Sequence, residues 1–293
     1  IIHNVAIKPI ILGTIASIFS KNARIVNAFT GMGFLFTSKL TLKYSFIQFF
    51  VKIILIFVVN LKNVFSIVQN SEDLKFLQDN FFAKKSKIAL IAGSGVDTKL
   101  FNYSEKNQKI NTKLKVVTTC RMLKDKGVLD FYEAAEILKN RKVPCVCIFI
   151  GGLDLKNPSS IGENRLNQWI EDGIIEYHPH TSNIVNLLQE ADIYTLPSYR
   201  EGLSKSILEA ASVGLPIVAT DIAASEGLVI ENQNGYLVPI KNAFDLANAI
   251  EKLVKNNDLR SQFGKVSRNI VHEYFSEEVV CRETLDFYIK IRL

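Results

Sequence analysis

The segment that most constrains this chain is Ser198 to Asp221, SYREGLSKSILEAASVGLPIVATD. Ahead of it, Ala191 to Pro197 (ADIYTLP) reads as a short buried strand, and Gly202 with Ser204 punctuates a turn feeding a helix. The helix ends at Gly214, Pro216 follows closely, and Ile217 to Thr220 (IVAT) becomes the next strand. This order sets Glu201 and Glu209 on either side of a helix start. In an open parallel sheet, the carboxyl end of a strand and the amino end of the next helix favour an anion, through free backbone N–H groups and the helix dipole. Two carboxylates would repel a bare phosphate. They fit a ligand whose hydroxyls donate to the carboxylates while its phosphates rest on backbone donors between them. A nucleotide sugar has that form.

The surrounding sequence repeats the same alternation. LKVVTTC, VPCVCIFIGG and IIEYHPH read as strands, and KGVLDFYEAAEILKN, NRLNQWIEDG and SNIVNLLQEA as the helices between them. Strands alternating with helices require right-handed crossovers and a parallel sheet covered on both faces, so the fold class is α/β. GSG, GMG and GG occur without the third glycine of GxGxxG, which disfavours a nicotinamide dehydrogenase. Arg121 and Lys126 follow the first strand of this region and fall at its carboxyl edge, the rim that also carries Glu201. Two cations there suit a diphosphate and neutralise a departing nucleoside diphosphate. No pair of aspartates is spaced for a metal–diphosphate site, so no metal or cofactor is expected and the cations take that role.

A chain of 293 residues, 48% of them apolar, is long enough for two cores. The 35 basic and 29 acidic residues leave a charge of +6, too diffuse for a nucleic-acid stripe and consistent with an anionic lipid surface or a diphosphate substrate. Cys120, Cys145, Cys147 and Cys281 show no CxxC spacing, and Cys145 and Cys147 alternate within an apolar run as strand thiols do. A reducing cytoplasm is the default compartment. The chain opens at Ile1 inside an apolar register without a charged leader, and is read as a fragment without a signal peptide.

Early in the chain, IIHNVAIKPIILGTIASIF reads as a strand end, a loop over His3 to Pro9, and a helix packing Ile11, Ile15 and Ile18 on one side. ARIVNAF is a strand running into TGMGF, where Gly31 and Gly33 permit close backbone approach to a ligand. Tyr44 to Val59 is the most hydrophobic stretch, but it is too short and too polar at Gln48 and Lys52 for the ~20 apolar residues of a spanning helix. A buried helix is favoured there; the alternative is a helix in a membrane interface, with Lys39, Lys43, Lys52 and Lys62 reaching lipid phosphates. NVFSIVQ reads as a strand, SEDLKFLQDN as a helix capped by Ser71, and IALIAGSGVD as a strand and turn leaving Asp97 near a cleft. NYSEKNQKINTK lacks apolar periodicity. The domains expected are 1–101, a linker at 102–113, a second domain at 114–274 and a closing helix at 275–293 that returns toward the first.

EGLSKSILEAASVGLPIVATD resembles the nucleotide end of the retaining glycosyltransferases of family 4, in which two glutamates stand eight positions apart. GSGVD at Gly93 to Asp97, CRMLKDKG at Cys120 to Gly127 and NGYLVP at Asn234 to Pro239 extend the likeness from about Asn63 onward. The resemblance implies two Rossmann-like domains of the glycosyltransferase B type, the first incomplete here, with the nucleotide-sugar donor on the second and a lipid-linked or saccharide acceptor on the first. It implies that Glu209 accepts ribose hydroxyls, that Glu201 faces the donor sugar, and that Arg121 and Lys126 hold the diphosphate. The amides of Gly202, Leu203 and Ser204 then cap the distal phosphate and sugar. A related histidine is replaced by Thr30, which leaves His3, Thr30, Gly31 and Gly33 as acceptor-side candidates. The implied reaction is sugar transfer from a UDP donor with retention, in bacterial surface-polysaccharide assembly. A nucleotide-sugar epimerase and a non-catalytic binding or scaffold protein are the rival classes.

Overall fold

The structure is a computed structural model and describes residues 1–20, 23–31, 42–103 and 113–292. Gly33, Lys39 and most of the expected linker therefore lie outside the described residues. The chain divides into two units, residues 1–95 with 278–293, and residues 96–277.

The first unit is a four-stranded parallel sheet in the order β1-β2-β3-β4, formed by β1 (Ile2–Val5), β2 (Ile25–Phe29), β3 (Val64–Val68) and β4 (Ile88–Leu90). Its crossovers are α1 (Ile7–Ala16), α2 (Leu42–Asn60) and α3 (Ser71–Phe81). Because the strands follow one another in order and parallel crossovers are right-handed, all three helices lie on one face. There Ile10, Leu55, Val58 and Leu77 meet Phe29 and Val68. Val26 and Ile67 point the other way, as the period of two demands, and meet Val280 and Ile291 of the C-terminal helix Glu277–Arg292.

Several local expectations are corrected in this unit. His3 is inside β1 rather than in a loop, and α1 begins at Ile7 with Pro9 in its first turn, where a missing N–H costs nothing. That helix turns Ile10 and Thr14 inward and leaves Ile15 exposed, and Ile18 is exposed in the 3-10 turn that follows it. A buried polar cluster sets this orientation: Asn27 Oδ1 accepts from Asn4 Nδ2 at 2.9 Å and from Thr14 Oγ1 at 3.1 Å, so Thr14 must face the sheet. The cap of α3 is Asn70, not Ser71; its side chain accepts from the Asp73 amide at 2.7 Å. Just past this unit, at the start of the second, Asp97 caps its own turn by accepting from the amides of Lys99 and Leu100. The favoured reading of α2 as a buried helix also fails. Leu55, Val58 and Val59 are buried, while a row of Phe and Ile side chains on its outer side is exposed.

The second unit is a six-stranded parallel sheet in the order β10-β9-β8-β5-β6-β7. Its strands are β5 (Leu114–Thr119), β6 (Cys145–Ile150), β7 (Ile175–His178), β8 (Ile193–Leu196), β9 (Ile217–Thr220) and β10 (Gly235–Val238). The helices are α4 (Val128–Asn140), α5 (Glu163–Glu171), α6 (Ile184–Glu190), α7 (Lys205–Ser212), α8 (Ala243–Lys255) and α9 (Asn257–Ile270). All strands from β5 to β9 arise within the segments read as strands. The order runs outward in one direction from β5 and in the other from β8, so the two are neighbours and the topology reverses between their carboxyl ends. Ligands of doubly wound sheets bind at such a point.

Candidate nucleotide-binding site

Both walls of that switch point are built by tight loops. After β5 the chain makes a 3-10 turn, Lys124–Lys126, and enters α4 through Gly127, whose φ of 68° is left-handed. A Cβ on Gly127 would lie 1.9 Å from the Pro197 carbonyl oxygen, so only glycine lets this turn press against the end of β8. The Tyr199 amide donates to the Asp125 carbonyl at 3.0 Å and ties the same two loops. Lys126 is thereby brought to Glu201, with Nζ donating to Oε1 at 2.5 Å. Ser198 Oγ donates to the same oxygen at 3.1 Å. The two charged side chains are 18% and 21% exposed, shielded enough for the pair to hold a fixed geometry.

Glu201 leads into α7. Ser204 is the N-cap, its Oγ accepting from the Ile207 amide at 3.4 Å and sharing a hydrogen bond with Ser206 Oγ. Ile207, Leu208, Ala210 and Ala211 bury the inward side of α7 and leave Glu209 half-buried. Burial raises the Glu209 carboxyl above its ordinary value, and the nearby Lys205 charge only partly opposes this. Burial pushes the Cys120 thiol, just past the end of β5, up to about 12 against the opposing Lys126 charge, so it stays protonated at neutral pH.

Arg121 stands apart from the glutamates. Its Nη1 donates to Asp154 Oδ2 at 3.0 Å, in a pair 58% and 31% exposed, so it is a surface arginine at the rim. Gly202 and Leu203 occupy the turn before the cap, half-buried. On the first unit, His3 Nδ1 and the Tyr288 hydroxyl are hydrogen-bonded with their rings edge to face, and burial lowers the imidazole below its ordinary value. Thr30 is exposed beyond the end of β2, and Gly31 beside it has φ 125°.

Sequence reasoning missed the supports under this site. The Asp130 carboxylate, nearly enclosed in the first turn of α4, stands close to the Tyr199 hydroxyl and the Lys241 backbone, and burial raises it above its ordinary value. The Lys241 ammonium lies 5.4 Å from the Tyr199 ring centre. These residues hold the loop carrying Glu201 from behind. No local pattern signals them, because they come from three separate segments; Tyr199 alone stood within the singled-out stretch. A groove of about 470 Å³ between β10 and α8, lined by Tyr236, Asp245 and Glu251, lies at the β10 edge of the sheet and shares no residue with the Lys126–Glu201 pair.

Two parallel α/β units, with a charged site at the switch point of the second, define a protein of the glycosyltransferase B fold. Sucrose-phosphate synthase from Thermosynechococcus elongatus superposes on 99% of this chain and 73% of its own, at TM-score 0.80 and 18% identity. HepE from Anabaena, solved with UDP, covers 98% of this chain and 79% of its own, at TM-score 0.79 and 17% identity. The sequence pattern of the glycosyl transferases group 1 matches residues 101–270, and the chain belongs to that family. It is 32% identical over 232 residues to the N,N'-diacetylbacillosaminyl-diphospho-undecaprenol α-1,3-N-acetylgalactosaminyltransferase of Campylobacter jejuni, covering 76% of this chain and 59% of that one. The UDP-Gal:α-D-GlcNAc-diphosphoundecaprenol α-1,3-galactosyltransferase of Escherichia coli is 25% identical over 287 residues, 94% of this chain and 71% of its own.

Proposed function

We propose that this protein moves a sugar from a nucleotide diphosphate donor, a UDP-sugar, to a lipid-linked or saccharide acceptor in polysaccharide assembly, with retention at the anomeric carbon. The observation that carries this reading is the Lys126–Glu201 pair across the ends of β5 and β8, beside the start of α7 and the half-buried Glu209. In this reading Glu209 accepts the ribose hydroxyls, and the amides of Gly202, Leu203 and Ser204 meet the distal phosphate. Lys126, with Arg121 at the rim, neutralises the diphosphate as the bond from its oxygen to the anomeric carbon breaks. Glu201, positioned by Lys126 and Ser198, faces the donor sugar. The names of the Campylobacter and Escherichia coli relatives, which specify diphospho-undecaprenol-linked sugars, support a lipid-linked acceptor. The acceptor-side roles of His3, Thr30 and Gly31 belong to the same proposal.

The test is a panel of UDP-sugars with a diphospho-undecaprenol-linked acceptor, read by product mass and by the anomeric configuration of the new linkage. A transferred hexose in the donor's configuration is expected, and Lys126→Ala should lower turnover by about 10- to 1,000-fold. An isomerised donor without transfer would replace this reading with an epimerase, and an inverted product would reject retention.

A further inference from the structure

From Phe46 to Phe57 the outer side of α2 is apolar. Phe46, Phe49, Phe50, Ile53, Ile54 and Phe57 are all exposed, Phe46 and Phe49 to 67% and 58%. The rings of Phe46 and Phe49 each stand edge-to-face against Phe50, forming one aromatic cluster on the surface. A patch of this size on a helix whose other side is already packed marks an interaction surface. Further strands of this sheet would not cover it. α2 sits in the middle of its layer, touching α1 on one side and α3 on the other. Strands added at either edge of the sheet bring helices beside that layer and leave the outer side of α2 open.

Charge identifies the partner. Residues 1–70 contain seven Lys and Arg and no Asp or Glu, whereas the rest of the chain has 28 basic and 29 acidic residues. The formal excess of +6 is thus +7 in the segment around α2 and −1 elsewhere. Lys8 on α1 and Lys62 just beyond α2 are exposed, and Lys52 donates from α2 to Asn80 at 3.3 Å. Pairing this face with a second copy would bring two positively charged surfaces together, whereas an anionic lipid surface satisfies both the apolar row and the cations. No described helix is long and apolar enough to cross a membrane, so α2 would lie in the plane of the interface.

We propose that α2 is a membrane-docking helix, inserting its outer Phe and Ile side chains among the acyl chains of an anionic bilayer while the neighbouring lysines meet lipid phosphates. The inference goes beyond the transferase reading and is tested without donor or acceptor, so the two can fail separately. The experiment is flotation of the protein with vesicles of phosphatidylglycerol and phosphatidylethanolamine, and with vesicles of phosphatidylcholine alone. Binding to the anionic vesicles is expected, weakened several-fold in 0.5 M salt through screening and about tenfold or more by the triple substitution Phe46→Ser, Phe49→Ser, Phe57→Ser. The single substitution Phe49→Ser, at an exposed position, should give a smaller loss in the same direction, and UDP affinity should be unchanged in both variants. Absence of binding to anionic vesicles, equal binding to phosphatidylcholine, or binding unaltered by the substitutions would overturn the proposal. So would concentration-dependent dimerisation that the triple substitution abolishes, since α2 would then pair with itself.

Discussion

Glu209 shows how burial gives one side chain a second use. Its carboxyl is half-buried on α7 and is raised above its ordinary 4.5 because burial disfavours the charged form. A folded-state value above the unfolded one means that its contribution to stability is full below 4.5 and is lost as pH rises through the folded value. Ligand hydroxyls donating to the carboxylate favour the ionised form. UDP affinity should therefore weaken as pH falls through the raised value, and in Glu209→Gln it should be lower by about 1 to 3 kcal/mol with a flatter pH profile. Calorimetry across that range decides it; equal affinity in the two proteins would reject the ribose assignment. Tyr199 offers a structural counterpart. Its hydroxyl stands close to the enclosed Asp130, whose Oδ2 has no hydrogen-bond partner among the described residues. Tyr199→Phe should lower the urea midpoint by an amount equivalent to about 0.5 to 1.5 kcal/mol, because the buried carboxylate loses the polar hydroxyl beside it. Transfer should slow as well, since Tyr199 adjoins the loop of Glu201.

At the scale of elements, the site depends on the loop between β5 and α4 pressing on the end of β8. Gly127 permits this with its left-handed backbone and absent Cβ. Gly127→Ala adds strain of about 1 to 3 kcal/mol at φ 68° and a clash with a backbone carbonyl that has no side-chain freedom to yield. The expected outcome is a lower denaturation midpoint together with weaker UDP binding, because relief of the clash moves Lys126 away from Glu201. A destabilised variant that keeps full UDP affinity would show that the loop's approach serves stability alone. Arg121 marks the contrast. Its exposed pair with Asp154 is of a kind worth about 0 to 1 kcal/mol, so any large effect of losing it would come from ligand contact and not from the fold.

For the whole molecule, each unit has its own apolar clusters, and the residues proposed to hold the donor all belong to the second. A ligand that binds only the folded second unit stabilises it by about 2.7 kcal/mol at a hundredfold excess over Kd. Hydrogen exchange with saturating UDP should therefore slow in β5, β8 and α7 and stay unchanged in β1 to β4. Equal slowing in both sheets would mean that the units open as one cooperative block, whereas no slowing in the second would remove the donor site from it.

The second unit was largely legible in the sequence because its signals are local. Alternating apolar runs of strand and helix length, stopped by Gly127, Gly214 and Pro216, determine β5, α7 and β9 with little help from distant contacts. Spacing also placed Arg121, Lys126 and Glu201 on one rim, since parallel strands bring every carboxyl end to the same side, and put Glu209 inside the helix that follows. Strand order was not legible, so neither was the adjacency of β5 and β8 that turns a shared rim into a 2.5 Å contact. The same holds for Arg121, whose partner Asp154 follows a different strand, and for the Asp130–Tyr199–Lys241 support. In the first unit, apolar content marked α1 and α2 as helices without showing which side faces the sheet. For α1 that was decided by the buried Asn4, Thr14 and Asn27. For α2, where Ser45, Gln48 and Lys52 make only a narrow polar stripe and the rest of the surface is apolar, only packing could decide which apolar side faces the sheet.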